Sequence, residues 1–533
     1  MSRREALALA AILVAAALLR LPGLADRGQF DADQGHDMLT LAAFTREGVV
    51  PLLGPKTSVG EFHHGAFYYF LLAPAAAVSN DDPVVVTAWL ALLGIGAVAL
   101  TWWLARSMAG PLAGLLAALI LAVSPAAIDE STFIWNPNPI PFFAALSLAA
   151  AWRGHEGGRA RWWAVALGAA GAVVQLHVLG LVFFVPILVL CLLELRRNRA
   201  VWRGLVGGLA IFALLFAPLA IHELTSGFLE TQRVLDYLRA GDVQDASPIG
   251  ALAITLLRIV GWPIVGLVTD VPAAAALVLA AVVGLVAWRL LAARGPERLA
   301  LGWLVGLMAW STVALAFAAP GLQRIVAGLP NDHYHASLDP VVATLLGISI
   351  APLLARGFAA WRGREGREGP EAPGARLGAG LGAGLLGAAA LIGILALEVV
   401  RMPPADPDGG WAAARAAGER VVQRLHGPPA AIVSLPSFKL ADGIAFPIFE
   451  AARRLPPGSS STTTGVVIVC DRLLESQIGA ACGGPAEDRF MFGSGPAAPD
   501  PYTGITPDRG SLVDRFDASP RTSVSVYLPV VTP

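Results

Sequence analysis

Three carboxylates and a histidine crowd one short polar segment that follows the first apolar stretch of the chain. The segment runs from Gln29 to Asp37 and contains Asp31, Asp33 and His36. Carboxylates are costly near hydrocarbon, so an acidic cluster at the mouth of a membrane protein predicts a functional site. A carboxylate there can accept a proton from a hydroxyl. Asp33 is our candidate base, and His36 and Asp37 are candidate substrate ligands. The alternative is a solvated loop that merely ends a helix.

The second half of the same loop joins a polar hook to an aromatic stretch. The candidate substrate-binding residues here are Lys56, Glu61, His63, His64 and Tyr68. Adjacent imidazoles beside a carboxylate can bind a phosphate, a divalent metal or nothing, so Glu61 and His63 are also weak candidate ligands of a possible divalent metal. No other cofactor is indicated. Tyr68 is equally typical of a helix that lies at the headgroup level of a bilayer.

Polar and aromatic residues interrupt three later apolar stretches. The candidate substrate-binding residues in these segments are Glu130, Trp135, Asn136, Asn138, Gln175, His177, His333, Tyr334 and His335. Amides, carboxylates and an indole can bond to and stack on sugars, and polar groups at depth rarely face lipid without cause. Each segment has a structural alternative: a helix start near Pro137, an interhelical hydrogen bond from Gln175, or a polar loop before a helix.

Composition determines the class of protein. The chain has 533 residues, of which 56% are hydrophobic and only 14% charged, and its mean hydropathy is +0.63. Repeated apolar runs of roughly 20 residues predict an integral membrane protein with many helical spans. The net charge of −1 makes no case for nucleic acid, because a phosphate-binding surface needs a basic excess.

Arginine clusters in alternate gaps between the apolar runs, which the positive-inside rule assigns to the cytoplasm. This alternation predicts eleven spans and a cytoplasmic N-terminus. The spans lie near 6 to 24, 84 to 105, 111 to 127, 139 to 152, 162 to 176, 179 to 195, 203 to 221, 271 to 292, 299 to 319, 339 to 355 and 377 to 398. The loop 25 to 83, the segment 222 to 270 and the tail then lie outside.

The composition changes after residue 400. A Pro-rich linker is followed by an amphipathic stretch at 411 to 425 and by apolar runs at 431 to 435 and 465 to 470. These features predict a membrane domain over 1–400, with its catalytic loop at 25–83, and a small extracytoplasmic α/β domain over 401–533. Cys470 and Cys482 could form a disulfide in an oxidising compartment. We find no catalytic constellation in this tail.

Several of these motifs, taken in order, resemble a known family. The motifs are Asp33-Gln34-Gly35-His36, Gly54-Pro55, Phe62 to Tyr69, Phe133 to Phe143, Gln175-Leu176-His177 and His333 to Pro340. Together they resemble the bacterial C-type glycosyltransferases related to protein O-mannosyltransferases and lipid A aminoarabinose transferases. The resemblance covers most of residues 1 to 400 and implies the C-type glycosyltransferase fold.

The resemblance implies an enzyme of the bacterial plasma membrane that moves a monosaccharide, with inversion, from a polyprenyl-phosphate carrier to an extracytoplasmic glycan, lipid or protein. It puts the catalytic aspartate at Asp33. Two departures matter, because His36 stands where many relatives have arginine and His64 where relatives present lysine to the lipid phosphate. A histidine binds phosphate as a cation only when protonated, and otherwise acts as a neutral donor. Arg46 and Lys56 could hold the phosphate or contact headgroups.

Two other classes of protein are also polytopic. A flippase or transporter of lipid-linked sugars should show repeated halves and polar groups near the midplane, whereas here the polar residues collect at one face. A non-catalytic membrane scaffold would tolerate replacement of Asp33. The asymmetry favours the enzyme.

Overall fold

A computed structural model describes residues 1–57, 60–241, 246–323, 332–362, 373–455, 465–492 and 510–529. The chain is mostly helical up to residue 400. Its helices are α1 Arg3–Arg20, α2 Ala32–Glu47, α3 Phe67–Ser79, α4 Pro83–Ala109, α5 Pro111–Val123, α6 Pro125–Asp129, α7 Ile140–Gly157, α8 Ala160–Leu176, α9 Gly180–Arg197, α10 Trp202–Ser226, α11 Leu229–Ala240, α12 Pro248–Val265, α13 Pro272–Ala292, α14 Gly295–Ala318, α15 Asp339–Trp361 and α16 Pro373–Val400.

By length and composition, seven helices in the described residues could cross a membrane. They are α4, α10, α12, α13, α14, α15 and α16, with α10 and α15 extended at their starts by short 3-10 turns. Six coincide with predicted spans, and the seventh, α12, does not. The other five predicted spans coincide with α1, α5, α7, α8 and α9, which are shorter or carry charged residues near their ends. The fold class is confirmed, and the count of eleven spans stays a prediction.

The sequence predicts that the segment 222 to 270 lies outside the membrane, and it assigns no span there. In the structure this segment forms α11 and α12. Both termini of α12 contact the same end of the helical bundle. The amide of Ala246 donates to Gln323, just beyond the end of α14, at 3.2 Å, and Arg401, just beyond α16, donates to the carbonyl of Val265 at 3.0 Å. We call this end of the bundle, which also carries Asp33, the site end.

Residues after 400 form a sheet flanked by helices. The elements are α17 Gly410–Leu425, β1 Ala431–Leu435, α18 Asp442–Arg453, β2 Val466–Asp471, α19 Glu475–Ile478, α20 Pro485–Phe492, β3 Gly510–Asp517 and β4 Thr522–Pro529. The strand order is β1-β2-β4-β3, with β1 and β2 parallel and the other pairs antiparallel. Cys470 of β2 forms a disulfide with Cys482. We call residues 410–529 the C-terminal unit; the sequence indicated β1 and β2 but not β3 and β4.

One face of this sheet packs on α17 and α18, which carry it onto the helical bundle. Val421, Val422 and Ile448 meet Val467 and Val524 in a core of their own. This alternation of inward apolar side chains is what a sheet covered by helices requires. The parallel pair β1 and β2 therefore ends, at its carboxyl edge, close to the loop that begins α2.

The C-terminal unit is fastened to the start of α2 by rings and by backbone contact. The ring of Trp411 lies 4.9 Å from that of Phe30 and 5.6 Å from that of Phe446, and the amide of Ala412 donates to the carbonyl of Ala25 at 2.7 Å. Gly35 allows the close approach, because a Cβ there would lie 2.0 Å from the carbonyl oxygen of Asp442.

We expect Gly35→Ala to destabilise the protein, since its methyl group would force α2 away from α18. Overpacking of this kind costs about 1–3 kcal/mol of unfolding free energy. Thermal unfolding of the protein in nanodiscs measures the effect. The control is Gly302→Ala, where a Cβ would meet nothing within 4 Å. Equal melting temperatures for the two variants would contradict the close packing of α2 on α18.

Candidate functional site

Asp33 is held in the first turn of α2 by a capping box. The Asp31 side chain accepts from the backbone amide of Asp33 at 3.1 Å, and the Gln34 side chain accepts from the backbone amide of Asp31 at 3.0 Å. The buried Gln34 amide also donates to the carbonyl of Ile134 at 2.9 Å. Gln34, which stands where relatives of the resembled family often have glutamate, thus serves to fix the backbone around Asp33.

The Asp33 carboxylate is poised as a base. Its side chain keeps an exposed face, and no hydrogen bond to its carboxylate occurs within the part of the chain that the structure describes. The protein around it displaces water and, with the neighbouring Asp31 carboxylate, raises the pKa of Asp33 to about 6. The positive charges of Lys439 and His36 oppose this rise. A base that titrates near neutral pH is suited to proton transfer.

Asp37 lies one helical turn after Asp33 on the same face of α2 but is buried. Its two oxygens accept hydrogen bonds from the hydroxyls of Tyr68 at 2.9 Å and Tyr69 at 2.8 Å. Burial raises the pKa of Asp37 to about 7, although both tyrosine bonds favour the charged form. The Tyr68 ring is buried in the protein core, so it is not exposed to lipid headgroups. Asp37 and Tyr68 are both buried, so neither offers a surface to a ligand.

His36 points toward the C-terminal unit. Its Nδ1 lies 2.9 Å from Oδ2 of Asp442, the first residue of α18. This hydrogen bond raises the pKa of His36, so the ring is more readily cationic than a free imidazole. Arg46 is also engaged, since it pairs with Asp81 and, at 2.9 Å, with Glu450. Both side chains are therefore paired with carboxylates of the C-terminal unit.

Residues 54 to 57 pair with residues 62 to 64 as a hairpin, and the side chains of this hairpin have partners of their own. Lys56 pairs with Glu61 across the turn, and His63 donates from its backbone to Glu230 of α11 at 2.7 Å and contacts it through Nδ1 at 3.1 Å. Glu61 and His63 therefore turn to different partners. Across the described ranges, no group of three or more histidine, cysteine, aspartate or glutamate side chains is arranged to hold a metal ion.

Five residues predicted from separate segments meet in one cluster of rings. His177 lies 4.7 Å from His64, 5.4 Å from His333 and 5.1 Å from Tyr334, measured between ring centroids. Trp135 completes the cluster at 4.5 Å from His333. We call these residues the histidine cluster. The hairpin, the loop before α7, the end of α8 and the 3-10 turn before α15 supply its members, so the three later motifs converge at the site end.

The imidazole of His64 is a neutral donor rather than a cation. Burial, reinforced by His63, lowers the pKa of His64 to about 4. Its Nδ1 accepts from the backbone amide of Val178 at 3.4 Å, which leaves the hydrogen on Nε2. His177 has the same arrangement, because its Nδ1 accepts from the amide of Leu179 at 3.2 Å. Of the two possibilities left open by the sequence, the geometry therefore favours the neutral donor.

The amide side chains brace the backbone of the cluster. Asn136 donates to the carbonyl of Leu176 at 2.6 Å, and Asn138 donates to that of Phe133 at 2.8 Å. Gln175 differs, because both atoms of its buried side-chain amide are without a hydrogen-bond partner within the described residues. Glu130 is buried as well, and burial together with the Asp339 carboxylate holds the pKa of Glu130 well above its usual range.

His335 belongs to a separate buried ion cluster. Its Nε2 lies 3.2 Å from Asp332, and Asp332 also contacts Arg258 of α12 at 3.1 Å. All three side chains are at most 3% exposed. His335 is therefore placed away from any open surface, and its prediction as a ligand is not supported. This cluster instead ties α12 to the start of α15.

Sequence reasoning missed the residues that the C-terminal unit brings to Asp33. Lys439 follows β1, Asp471 ends β2, and the Nζ of Lys439 lies 2.9 Å from Oδ2 of Asp471. The one sequence feature that could have indicated Lys439 is its rarity, because it is one of two lysines in the chain. More than 400 residues separate it from Asp33, and no local pattern joins them.

We expect the His64 ring to stay neutral at every pH above about 5, because its pKa is about 4. Histidine-labelled ¹⁵N NMR in nanodiscs, assigned with His64→Asn, measures the protonation directly. His36 is the internal control, since its bond to Asp442 raises its pKa and its signal should titrate above that of a free histidine. A His64 signal that titrates between pH 6 and 7 would contradict the buried neutral donor.

Comparisons with known proteins agree with this architecture. The family model "Dolichyl-phosphate-mannose-protein mannosyltransferase" matches residues 52–223, which contain the hairpin and the chain as far as α10. A comparison with curated proteins gives no match. The crystal structure of ArnT from Cupriavidus metallidurans bound to undecaprenyl phosphate superimposes with a TM-score of 0.55 at 12% identity, covering 97% of each chain. Its apo form gives 0.54 at 13% identity, again covering 97% of each chain.

The resemblance inferred from the motifs is thus confirmed at the level of the fold, from the first helix to the C-terminal unit. The chain therefore has the fold of these ArnT structures over nearly its whole length.

Proposed function

We propose that the protein is an integral membrane glycosyltransferase that moves a monosaccharide from a polyprenyl-phosphate carrier to an acceptor hydroxyl. The family model matched by residues 52–223 is that of a mannosyltransferase using a lipid-phosphate sugar, and one structural relative was crystallised with undecaprenyl phosphate. The site end carries both the exposed Asp33 carboxylate and the histidine cluster, and the hydrogen bond from Gln34 to the carbonyl of Ile134 joins the backbone next to each. Transport is less well supported, because the polar residues gather at one end of the helices.

The observation that carries the proposal is the state of Asp33. A capping box fixes its backbone, its carboxylate has no hydrogen bond within the described residues, and its pKa is raised to about 6. A purely structural carboxylate would be paired, as Asp37 and Asp332 are. An unpaired carboxylate with a raised pKa at the open end of a membrane bundle is a candidate catalytic base.

In the proposed transfer reaction, one base on the protein is enough to activate the acceptor hydroxyl. Asp33 takes the proton of an acceptor hydroxyl while that oxygen attacks the anomeric carbon of the donor sugar. The bond from the anomeric carbon to the phosphate oxygen breaks, and its electron pair leaves with the polyprenyl phosphate. A single displacement of this kind inverts the anomeric centre, as a single base does in inverting glycoside chemistry.

The histidine cluster is our candidate for the phosphate end of the donor. The neutral imidazoles of His64 and His177 present N–H groups in a setting from which water is largely excluded, where a hydrogen bond to an anion is stronger than in bulk water. Neutral donors cost less to bury than cations. This arrangement explains how the chain can use His64 where relatives of the resembled family present lysine.

We place the site end outside the cytoplasm of a bacterial plasma membrane. Arginines gather at the opposite end of the bundle, as in the turns after α4 and α7 and around Arg289 and Arg298. The N-terminus lies there too, because Glu5 of α1 pairs with Arg106 of α4 at 2.6 Å. The positive-inside rule makes that end cytoplasmic, so the C-terminal unit is extracytoplasmic.

Asp33→Asn should abolish turnover while leaving the donor bound. Removing a general base slows a reaction by about 10²- to 10⁴-fold. The measurement is release of polyprenyl phosphate from a panel of synthetic polyprenyl-phosphate sugars by the purified protein in lipid, with donor binding followed in parallel.

The matched control is Asp26→Asn, an exposed carboxylate in the same loop, which should keep full turnover. Asp33→Glu should retain partial turnover, because it keeps the carboxylate but misplaces it. Equal turnover in Asp33→Asn and the unmodified protein would move the base to another carboxylate, such as Asp31 or Glu130.

The pH dependence follows from the same carboxylate. The reaction needs Asp33 deprotonated, so kcat/KM should fall as the pH is lowered through about 6 and level off above pH 7. An unperturbed aspartate would instead give a midpoint near 4. Steady-state rates between pH 4.5 and 8 test this. A flat profile across that range would remove Asp33 as a base with a raised pKa.

A further inference from the structure

A cleft opens between the loop that begins α2 and the C-terminal unit. Phe30, Asp31 and Ala32 line one wall, and the carboxyl ends of β1 and β2 supply the other, through Ser434 and Asp471. Its enclosed volume is about 80 Å³, and the rest of the cleft is open to solvent. The carboxyl ends of parallel strands are frequent ligand sites in open α/β sheets.

The side chains in this cleft are suited to hydroxyl groups. Lys439 and Asp471 stand 2.9 Å apart and offer a donor beside an acceptor, while Ser434 and Thr522 can play either part. The ring of Phe30 adds an apolar surface to the same wall. Alternating donors and acceptors next to an aromatic ring match a sugar, whose hydroxyls need both and whose C–H face can lie on the ring.

The cleft also adjoins the candidate base. Asp31 lines it, and Asp33 is two residues further along the same capped turn. The charge of Lys439 acts on both carboxylates, which places its ammonium group within electrostatic reach of Asp33. An acceptor held against Lys439 would therefore have hydroxyls close to the group that must take their proton.

We propose that this cleft binds the acceptor of the transfer reaction, that the acceptor is a saccharide, and that Lys439 and Asp471 bind its hydroxyls. The inference rests on the proposed function and assigns to the C-terminal unit a part of the site that the sequence did not indicate. A serine- or threonine-containing peptide is the competing acceptor. We favour a sugar because the polar groups of the cleft are side chains. An extended peptide is usually bound through a run of backbone hydrogen bonds.

The experiment separates acceptor binding from donor chemistry. Ser434→Trp fills the cleft, and Lys439→Gln breaks the donor and acceptor pair. Transfer from a polyprenyl-phosphate sugar to octyl glucoside and octyl mannoside is compared with transfer to water, measured as release of free sugar. Loss of a hydrogen bond to a charged group should raise the KM for the glycoside by about tenfold or more. Arg415→Gln, which breaks only the exposed pair with Glu419, is the control and should behave as the unmodified protein.

The expected result is a raised glycoside KM in both cleft variants with donor binding unchanged, and in Ser434→Trp also transfer to water unchanged within about twofold, a spread too small to reflect a lost contact. Transfer to water is not used to judge Lys439→Gln, because the charge of Lys439 acts on Asp33. Unchanged glycoside KM values would overturn the assignment of the cleft. Transfer to a Ser/Thr peptide only, still sensitive to Ser434→Trp, would overturn its saccharide chemistry.

A failure of the proposed function has a different signature. If no donor turns over in any variant, binding of methyl glycosides is measured by saturation-transfer NMR on the same nanodiscs. Saccharide signals that Ser434→Trp abolishes and Arg415→Gln preserves would support the cleft in a protein that is not a transferase. Absence of saccharide binding would overturn the cleft as well.

Discussion

The close contact between the start of α2 and the C-terminal unit is the constraint on which the rest of the site depends. Two glycines make it possible, because a Cβ on Gly35 or Gly443 would run into backbone of the opposite element. The rings of Phe30, Trp411 and Phe446 then fill the space beside that contact. Asp33 consequently lies between a membrane bundle and a soluble-type sheet, and its surroundings are built from both.

Burial acts on the acids and bases of the site in opposite senses. It raises the pKa of Asp33 and Asp37, and it lowers that of His64, because in each case the charged form is the one that loses water. The outcome is a candidate base that titrates near neutral pH, at the same end of the bundle as the uncharged His64 ring. An active centre for an anionic lipid donor can thus be assembled with few buried cations.

Several polar residues were predicted as site residues only because a polar group is costly to bury in an apolar stretch. The prediction that they lie together holds for three of the histidines. Polar groups inside apolar stretches must be satisfied by one another or by a ligand, and His64, His177 and His333 do come together. The same reasoning failed for His335 and Tyr68. Those residues satisfy Asp332 and Asp37, and a sequence gives no means to distinguish a polar group that serves a ligand from one that serves a neighbour.

The sequence by itself determined the membrane class, most of the long helices and the α/β character of the tail, and it indicated Asp33 as a candidate base, because hydropathy and the cost of buried charge act locally along the chain. It could not place α12, which is as apolar as a span but contacts the site end at both of its ends. Only the tertiary structure decided which residues surround Asp33. Lys439, Asp442 and Asp471 reach the start of α2 through packing of glycines and rings, and contacts across 400 residues leave no periodic trace in a single sequence.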